Sequence, residues 1–243
     1  DVYKRQSLPC PARPAGRALE TDMKQLPLVC ATLLALGSTQ LQAQSADLAE
    51  EDIQSINGCA IMPGTSCPGA DLRGADLRHM DLRKADLTGV NLSGADLRHA
   101  ILDQARLDQA NLQNANLARA SLQQTAMRGA NADGANFMGA SAWNLTAQGA
   151  SFNGTDFTGA NLEFSRFSGA TLHNAILRAA NLEMAWLPKA DMAGADLRDA
   201  NLQESKLNHA NLSDANLEGA SLHYGTFLDV TMTDCTACTV DWE

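Results

Sequence analysis

Ala70-Asp71-Leu72-Arg73-Gly74-Ala75-Asp76-Leu77-Arg78-His79 is one five-residue unit written twice, and the unit continues far beyond it. Stepping by five from Leu72 reaches Ala237 without an insertion: 34 repeats, whose centres are 22 Leu, 5 Phe, 3 Met and 4 Ala. Two residues before each centre stands a small residue, Ala in 24 of the 34. Between the two lies a short polar residue, most often Asp, Asn, Ser or Thr, as in Ala215-Asn216-Leu217. On one helix five residues advance about 140°, so the leucines would spiral instead of forming a stripe. On one continuous strand an odd period would send successive leucines to opposite faces. Ala-x-Leu by itself is a proper short strand, inward, outward, inward, and the two residues left over must turn a corner. Gly fills the second of these corner positions twelve times, for example at Gly74, Gly89 and Gly94, and Gly tolerates φ > 0 at tight corners. Each repeat is then one wall of a coil, and stacked coils bury Ala and Leu along a common axis as a solenoid.

Composition agrees. Aromatics make up 5% and charged residues 19% of 243 residues, too few large side chains for an ordinary core, while 45% hydrophobic content is too much for a disordered chain. Small residues must be buried in a regular way.

The A-(D/N)-L-x-x pattern over residues 70–237 resembles the pentapeptide-repeat family. The resemblance implies an all-β, right-handed quadrilateral β-helix, with four repeats per coil and the centre and small columns inward. Thirty-four repeats then make about 8.5 coils, a rod about 40 Å long at the spacing of stacked strands. Departures cluster: centres Ala132, Ala142 and Ala147 are undersized, and Leu145 is a leucine in the small column. A continuous but locally irregular coil is expected there, with Leu145 filling part of the lost volume.

At the N-terminal end of the rod, Asp47-Leu48-Ala49-Glu50 reads as a capping box, with Leu48, Ile53 and Ile56 on an apolar side and Gly58 as the stop. This predicts a short helix over 48–57 within a cap of residues 44–69 that covers the first coil. At the other end, Phe227, Val230, Met232, Val240 and Trp242 are candidates to cover the last coil or to pair with a second copy; residues 240–243 form a tail.

Earlier still, Met23-Lys24-Gln25, the apolar run Leu26 to Leu36 and the polar stretch ending Leu41-Gln42-Ala43 have the layout of a secretory signal peptide. The run is shorter than the about 20 residues a spanning helix needs, so no transmembrane segment is expected in the mature chain. Cleavage is expected after Ala43, with Ser45 as the second choice and Leu41 an imperfect fit before the cut. Val29 argues against Cys30 as a lipidated cysteine. Residues 1–22 read as upstream sequence, and a periplasmic or secreted location follows for the remainder. Without residues 1–43 the chain carries 13 basic and 25 acidic groups.

Four cysteines remain, in two pairs at opposite ends of the rod, and bridged Cα atoms lie within roughly 7 Å. Only local bonds fit. Cys59–Cys67 closes a loop in the cap, as an oxidising compartment permits. Cys235 and Cys238 admit a second bridge or, because Cys235 stands in the small inward column, a buried thiol. No His adjoins either pair, which argues against a metal or redox centre.

On the outside, the family geometry stacks residues twenty apart. Arg78 and His79 then lie under Arg98 and His99, with Arg119 next, as a solvated basic ridge in which adjacent arginines repel a metal ion. The C-terminal part is acidic: residues 181–243 hold 11 acidic and 3 basic groups, against 7 and 8 over residues 68–130. Phe164 and Met184 share an outward column, with Trp143 one coil earlier and Trp186 round the corner, a candidate interaction patch.

No catalytic constellation is present: the five histidines are scattered, no phosphate-binding Gly-rich loop leads into a helix, and the aspartates follow the repeat. Uninterrupted repeats leave no inserted loop from which to build a pocket. A net charge of −10 argues against direct binding to nucleic acid. No cofactor is implied. The reading is an exported structural or interaction module that binds an unidentified protein or itself. The family resemblance implies an alternative, a cytoplasmic mimic of duplex DNA that binds and protects type II topoisomerases. The signal peptide, the basic ridge and the lack of an inserted loop weigh against it.

Overall fold

A computed structural model of the chain describes residues 54–238. Residues 1–53 and 239–243 lie outside the described residues. With them lie the signal peptide, its cleavage site, the capping-box residues Asp47 to Ile53, and Val240 and Trp242 of the tail.

Residue n bridges residue n + 20 in parallel register along the whole ladder, from Ser66↔Asp86 to Asn216↔Thr236. One coil is therefore twenty residues and four walls. We call wall A the one centred on Leu72, B on Leu77, C on Leu82 and D on Leu87. In each wall only the middle residue forms the bridge, while the small residue and the centre on either side of it point inward, almost wholly buried in the middle coils and partly buried in the end ones. The corner is a tight turn: the Ala75 amide donates to the Leu72 carbonyl at 3.1 Å, and Gly74 between them has φ 62°, as the second corner residue of a type II turn requires. Side chains also occupy this left-handed position, including His79 and His99; glycine is preferred there without being compulsory.

The polar middle residue has a structural task. Its side-chain oxygen accepts the amide two residues on, as Asn91 does from Ser93 at 3.2 Å and Asn136 from Met138 at 2.9 Å. That amide faces outward at the corner and would otherwise lack a protein partner, so Asp and Asn hold the turn from within the wall. Where the middle residue is not Asp or Asn, the previous coil can supply the acceptor. Asp103 takes the Gln123 amide above Ser121, Asp108 takes Arg128 above Ala126, and Asp133 takes Asn153 above Ser151. Asn153 and Asn208 do the same for His173 and Leu228.

The ladder starts at Ser66, one repeat before Ala70, with Thr65-Ser66-Cys67 as its first partial wall. Ahead of it the chain forms a hairpin, β1 (Ser55–Ile56) antiparallel to β2 (Cys59–Ala60). The helix expected over 48–57 is thus absent from its described part. Asn57-Gly58 is the reason: both residues have positive φ, 50° and 80°, the signature of a two-residue hairpin turn that Asn-Gly favours strongly. Gly58 reverses a hairpin; it does not end a helix. The hairpin still works as a cap. The Asn57 amide nitrogen donates to the Asp71 carbonyl at 2.7 Å, an edge group of the first coil, while Cys59 and Ile61 are buried with the core.

The undersized centres do not disturb the backbone. Asn131↔Ser151, Ser141↔Asn161 and Thr146↔Arg166 run through them in register, so the expected local irregularity is not found. Volume is restored by neighbours: Leu145 is fully buried, and Phe137, Phe152, Phe157 and Phe167 form a buried cluster. Phe137 and Phe157 stack at 4.9 Å, with Phe152 edge-on to both Phe137 and Phe167. Buried hydroxyls in the small column are satisfied by carbonyls, Thr125 by Leu102 and Thr155 by Ala132, each at 2.7 Å.

Candidate interaction surface

Every outward position belongs to a stacked column, so the surface is a set of ladders with a strand-spacing repeat. The expected basic ridge is such a surface, and its Arg78 and Arg98 are neutralised. Arg78 donates from Nε and Nη2 to the two carboxylate oxygens of Asp76 at 2.7 and 2.6 Å, and Arg98 does the same to Asp96 at 2.8 and 2.7 Å. Arg78 also lies 3.7 Å from Asp96. The columns alone place arginine over arginine, whereas each A-D-L-R repeat builds its own bidentate pair within one wall. Arg73–Asp71, Arg83–Asp81 and Arg198–Asp196 are further examples. An Asp two residues before an Arg on a single strand was the available signal, because both side chains leave the same face of the wall. His79 and His99 stack in parallel with centroids 4.9 Å apart, while Arg119 has no ion pair among the described residues.

These pairs make an acid-sensitive feature. Hydrogen bonds from Arg78 lower the Asp76 carboxyl from 3.8 to about 2. Hydrogen bonds from Arg198 hold Asp196 well below the usual carboxylate range, with Arg178 adding to the effect and burial opposing it. A carboxyl whose folded pKa is depressed contributes stability above its unfolded pKa and loses it as pH falls through the folded value. The melting temperature is therefore expected to hold from neutral pH down to about 4 and to fall between about 4 and 2. Asp196→Asn should flatten part of that fall, as circular dichroism melts across the range would reveal; identical acid profiles would remove Asp196 from the account.

The apolar patch occupies the corner between walls C and D. Phe164 is 39% exposed, Met184 37% and Trp186 51%, beside the buried Ser165, Ala185 and Leu187 and the half-buried Glu163 and Glu183. Trp143 is half-buried and meets the Phe164 ring edge-on at 6.0 Å, so it backs the patch without being its most exposed member. Phe164 and Met184 sit at the left-handed corner position, with φ 58° and 54°, which throws their side chains outward from a rigid turn.

Both cysteine pairs are joined. Cys59–Cys67 spans 5.6 Å between Cα atoms and ties the hairpin to the first wall. Cys235–Cys238 spans 5.7 Å on the last described coil, so Cys235 is bonded, not a buried thiol. On that coil Phe227, Val230 and Met232 are partly buried against the core, and Tyr224 and Leu228 are strongly exposed.

Among the described residues no group of three or more His, Cys, Asp or Glu is placed to hold a metal. No described helix is long and apolar enough to cross a membrane. A surface depression is lined by Pro63, Gly64, Arg83 and Lys84, but Arg83 is already paired with Asp81. The geometry can present side chains at fixed spacing along a wall. Among the described residues the Ser221 hydroxyl lies 3.3 Å from His223 Nδ1, at an exposed position on the outside of a wall.

Comparison with known proteins agrees with this architecture. The family model for Pentapeptide repeats matches in eight copies between residues 65 and 236. No curated protein sequence matches the chain. Among solved structures, the chain is similar to HetL of the cyanobacterium Nostoc sp. strain PCC 7120, a pentapeptide repeat protein involved in heterocyst differentiation regulation. The two are 28% identical over 70% of this chain and 84% of HetL, with a TM-score of 0.38. It is also similar to a pentapeptide repeat protein of the Arabidopsis thaliana thylakoid lumen, 25% identical over 42% of this chain and 68% of that one, TM-score 0.29. QnrB1, a plasmid-mediated fluoroquinolone resistance protein, is 17% identical over 69% and 89%, TM-score 0.44.

Proposed function

The chain belongs to the pentapeptide-repeat family, and from that premise we propose that it is an exported, non-enzymatic scaffold that docks a protein partner at the corner carrying Trp143, Phe164, Met184 and Trp186. The observation that carries this reading is the exposure of large apolar side chains at that corner, in a chain with 5% aromatic residues. Rigidity supports it: a ladder of backbone bonds fixes the backbone from which each outward side chain springs, so binding costs little further backbone entropy. Aromatic residues and Met are enriched at protein interfaces. Two disulfides support an oxidising compartment, as does the leader-like stretch 23–43.

Expression from Met23, cell fractionation and N-terminal sequencing test the compartment. A periplasmic or secreted product starting at Gln44 or Ala46 is expected. An uncleaved cytoplasmic product would overturn export and make binding to a type II topoisomerase the next assay. For the docking corner, Phe164→Ser with Met184→Ser should abolish partner capture or change the oligomer size while leaving the melting temperature unchanged. Capture and size both equal to wild type would remove the corner from the proposal.

A further inference from the structure

Wall D differs from the other three in what its middle column carries. Thr146, Arg166, Trp186, Lys206 and Thr226 follow one another as successive bridge partners. Trp186 is the most exposed large apolar residue between the end coils, and it stands between two cations with no ion pair among the described residues. Elsewhere on the same wall arginines are neutralised: Arg106 by Asp86 at 3.1 Å and Arg128 by Asp108 at 3.4 Å. Arg166 and Lys206 have no such partner, although residues 181–243 are strongly acidic overall. They lie two strand spacings apart, roughly 9–10 Å, with the indole midway.

We propose that this column binds a linear acidic polysaccharide laid along wall D, with one sugar ring on Trp186 and carboxylates of its neighbours on Arg166 and Lys206. This shares Trp186 with the docking corner, where the two ligands would compete, but does not depend on protein docking at Phe164 and Met184. The face of an aromatic ring is electron-rich and attracts the weakly positive C–H groups of a sugar laid flat on it. Two cations at fixed spacing on either side then favour a ligand with separated single charges. Charge density excludes the denser alternative: nucleic acid carries one charge per about 1.7 Å of duplex, and a chain of net charge −10 repels it at long range. A compact small molecule would need a concavity, which a flat wall lacks. An acidic peptide could also meet the cations, but Asp and Glu side chains offer no C–H face to lie flat on the exposed indole as a sugar ring does. Wall D holds Gln148 and Thr226, whose Oε1 and Oγ1 are the buried side-chain oxygens without a partner among the described residues. An acceptor in need of a donor suits sugar hydroxyls once the Gln148 side chain turns outward.

The test is calorimetric titration of the full chain with polygalacturonate, using dextran, poly-L-glutamate and single-stranded DNA as comparison probes. Wild type should bind polygalacturonate, weaken with added salt, and ignore dextran. Trp186→Ala should weaken binding about tenfold or more, the scale of one lost aromatic contact. The double variant Arg166→Gln/Lys206→Gln should weaken it at least as much and remove the salt dependence. Phe164→Ser should bind as wild type. All these positions are on the surface, and unchanged melts would show that the variants fold. No binding of polygalacturonate by wild type, or undiminished binding by Trp186→Ala, overturns the proposal. So does equal or tighter binding of poly-L-glutamate or single-stranded DNA, which would assign the wall to an acidic peptide or to a nucleic acid.

Discussion

Phe157→Ala is expected to lower the unfolding free energy by about 3–5 kcal/mol. Phe157 is fully buried, stacks on Phe137 and touches Phe152 at 5.4 Å between ring centroids. The upper part of the range is expected because its surroundings cannot collapse into the gap: Ala132, Ala142 and Ala147 have no side chain to extend, and the bridges on all four walls fix the backbone. The same change at a leucine centre far from these alanines, such as Leu97→Ala, should cost less within the about 2–5 kcal/mol known for such cavities. Each coil is held only by its neighbours, so a weak coil in mid-rod can also split the unfolding transition into two. Chemical denaturation followed separately by circular dichroism and by tryptophan fluorescence checks both statements, since Trp143 and Trp186 report on the middle coils. A Phe157→Ala protein as stable as wild type would show that the phenylalanine cluster is dispensable and that Leu145 alone replaces the missing volume.

What could be read from the sequence was whatever the five-residue period repeats. The inward columns, the corner glycines and the twenty-residue coil all follow from spacing, because a parallel ladder allows one register only when every wall has the same length. What could not be read lies where the period is broken or where partners come from another coil. The Asn57-Gly58 turn precedes the first repeat, where the helical spacing of Ile53 and Ile56 competes with a two-residue turn signal and the turn prevails. The Asp76–Arg78 and Asp96–Arg98 pairs were hidden because the ridge was read down its columns, from coil to coil, and not along a wall. The substitution of Asp103 for an acidic or amide residue at position 121 becomes visible only once residues twenty apart are known to be neighbours. The corner patch follows from the expected coil geometry, and within it Trp143 meets the Phe164 ring edge-on. Which of them face solvent depends on rotamers: Trp143 folds down against Phe164 while Trp186 stands out.

Removing the hairpin, residues 54–62, is expected to add association through the N-terminal end of the rod to whatever assembly the wild type forms. Among the described residues no full coil lies beneath the first one, so the backbone groups of Asp71, Asp76 and Asp81 that point along the axis away from the next coil form an edge, and open edges pair with other chains. The hairpin blocks that edge in two ways. Asn57 occupies the Asp71 carbonyl, and Cys59 and Ile61 cover the end of the Leu column. The disulfide to Cys67 holds the lid down. Opening only the disulfide, as Cys59→Ser with Cys67→Ser, should cost about 2–3 kcal/mol for so short a loop and leave the edge covered in the folded state. The deletion, made with Cys67→Ser so that no free thiol remains, should instead produce concentration-dependent association in sedimentation velocity. The comparison separates two roles the cap could have. If the double serine variant associates as strongly as the deletion, the covalent tie is what protects the edge. If the deletion associates no more than wild type and melts as the double variant does, the hairpin is not an edge cap. Its Asn57 bond would then be one hydrogen bond among many, worth about 1 kcal/mol.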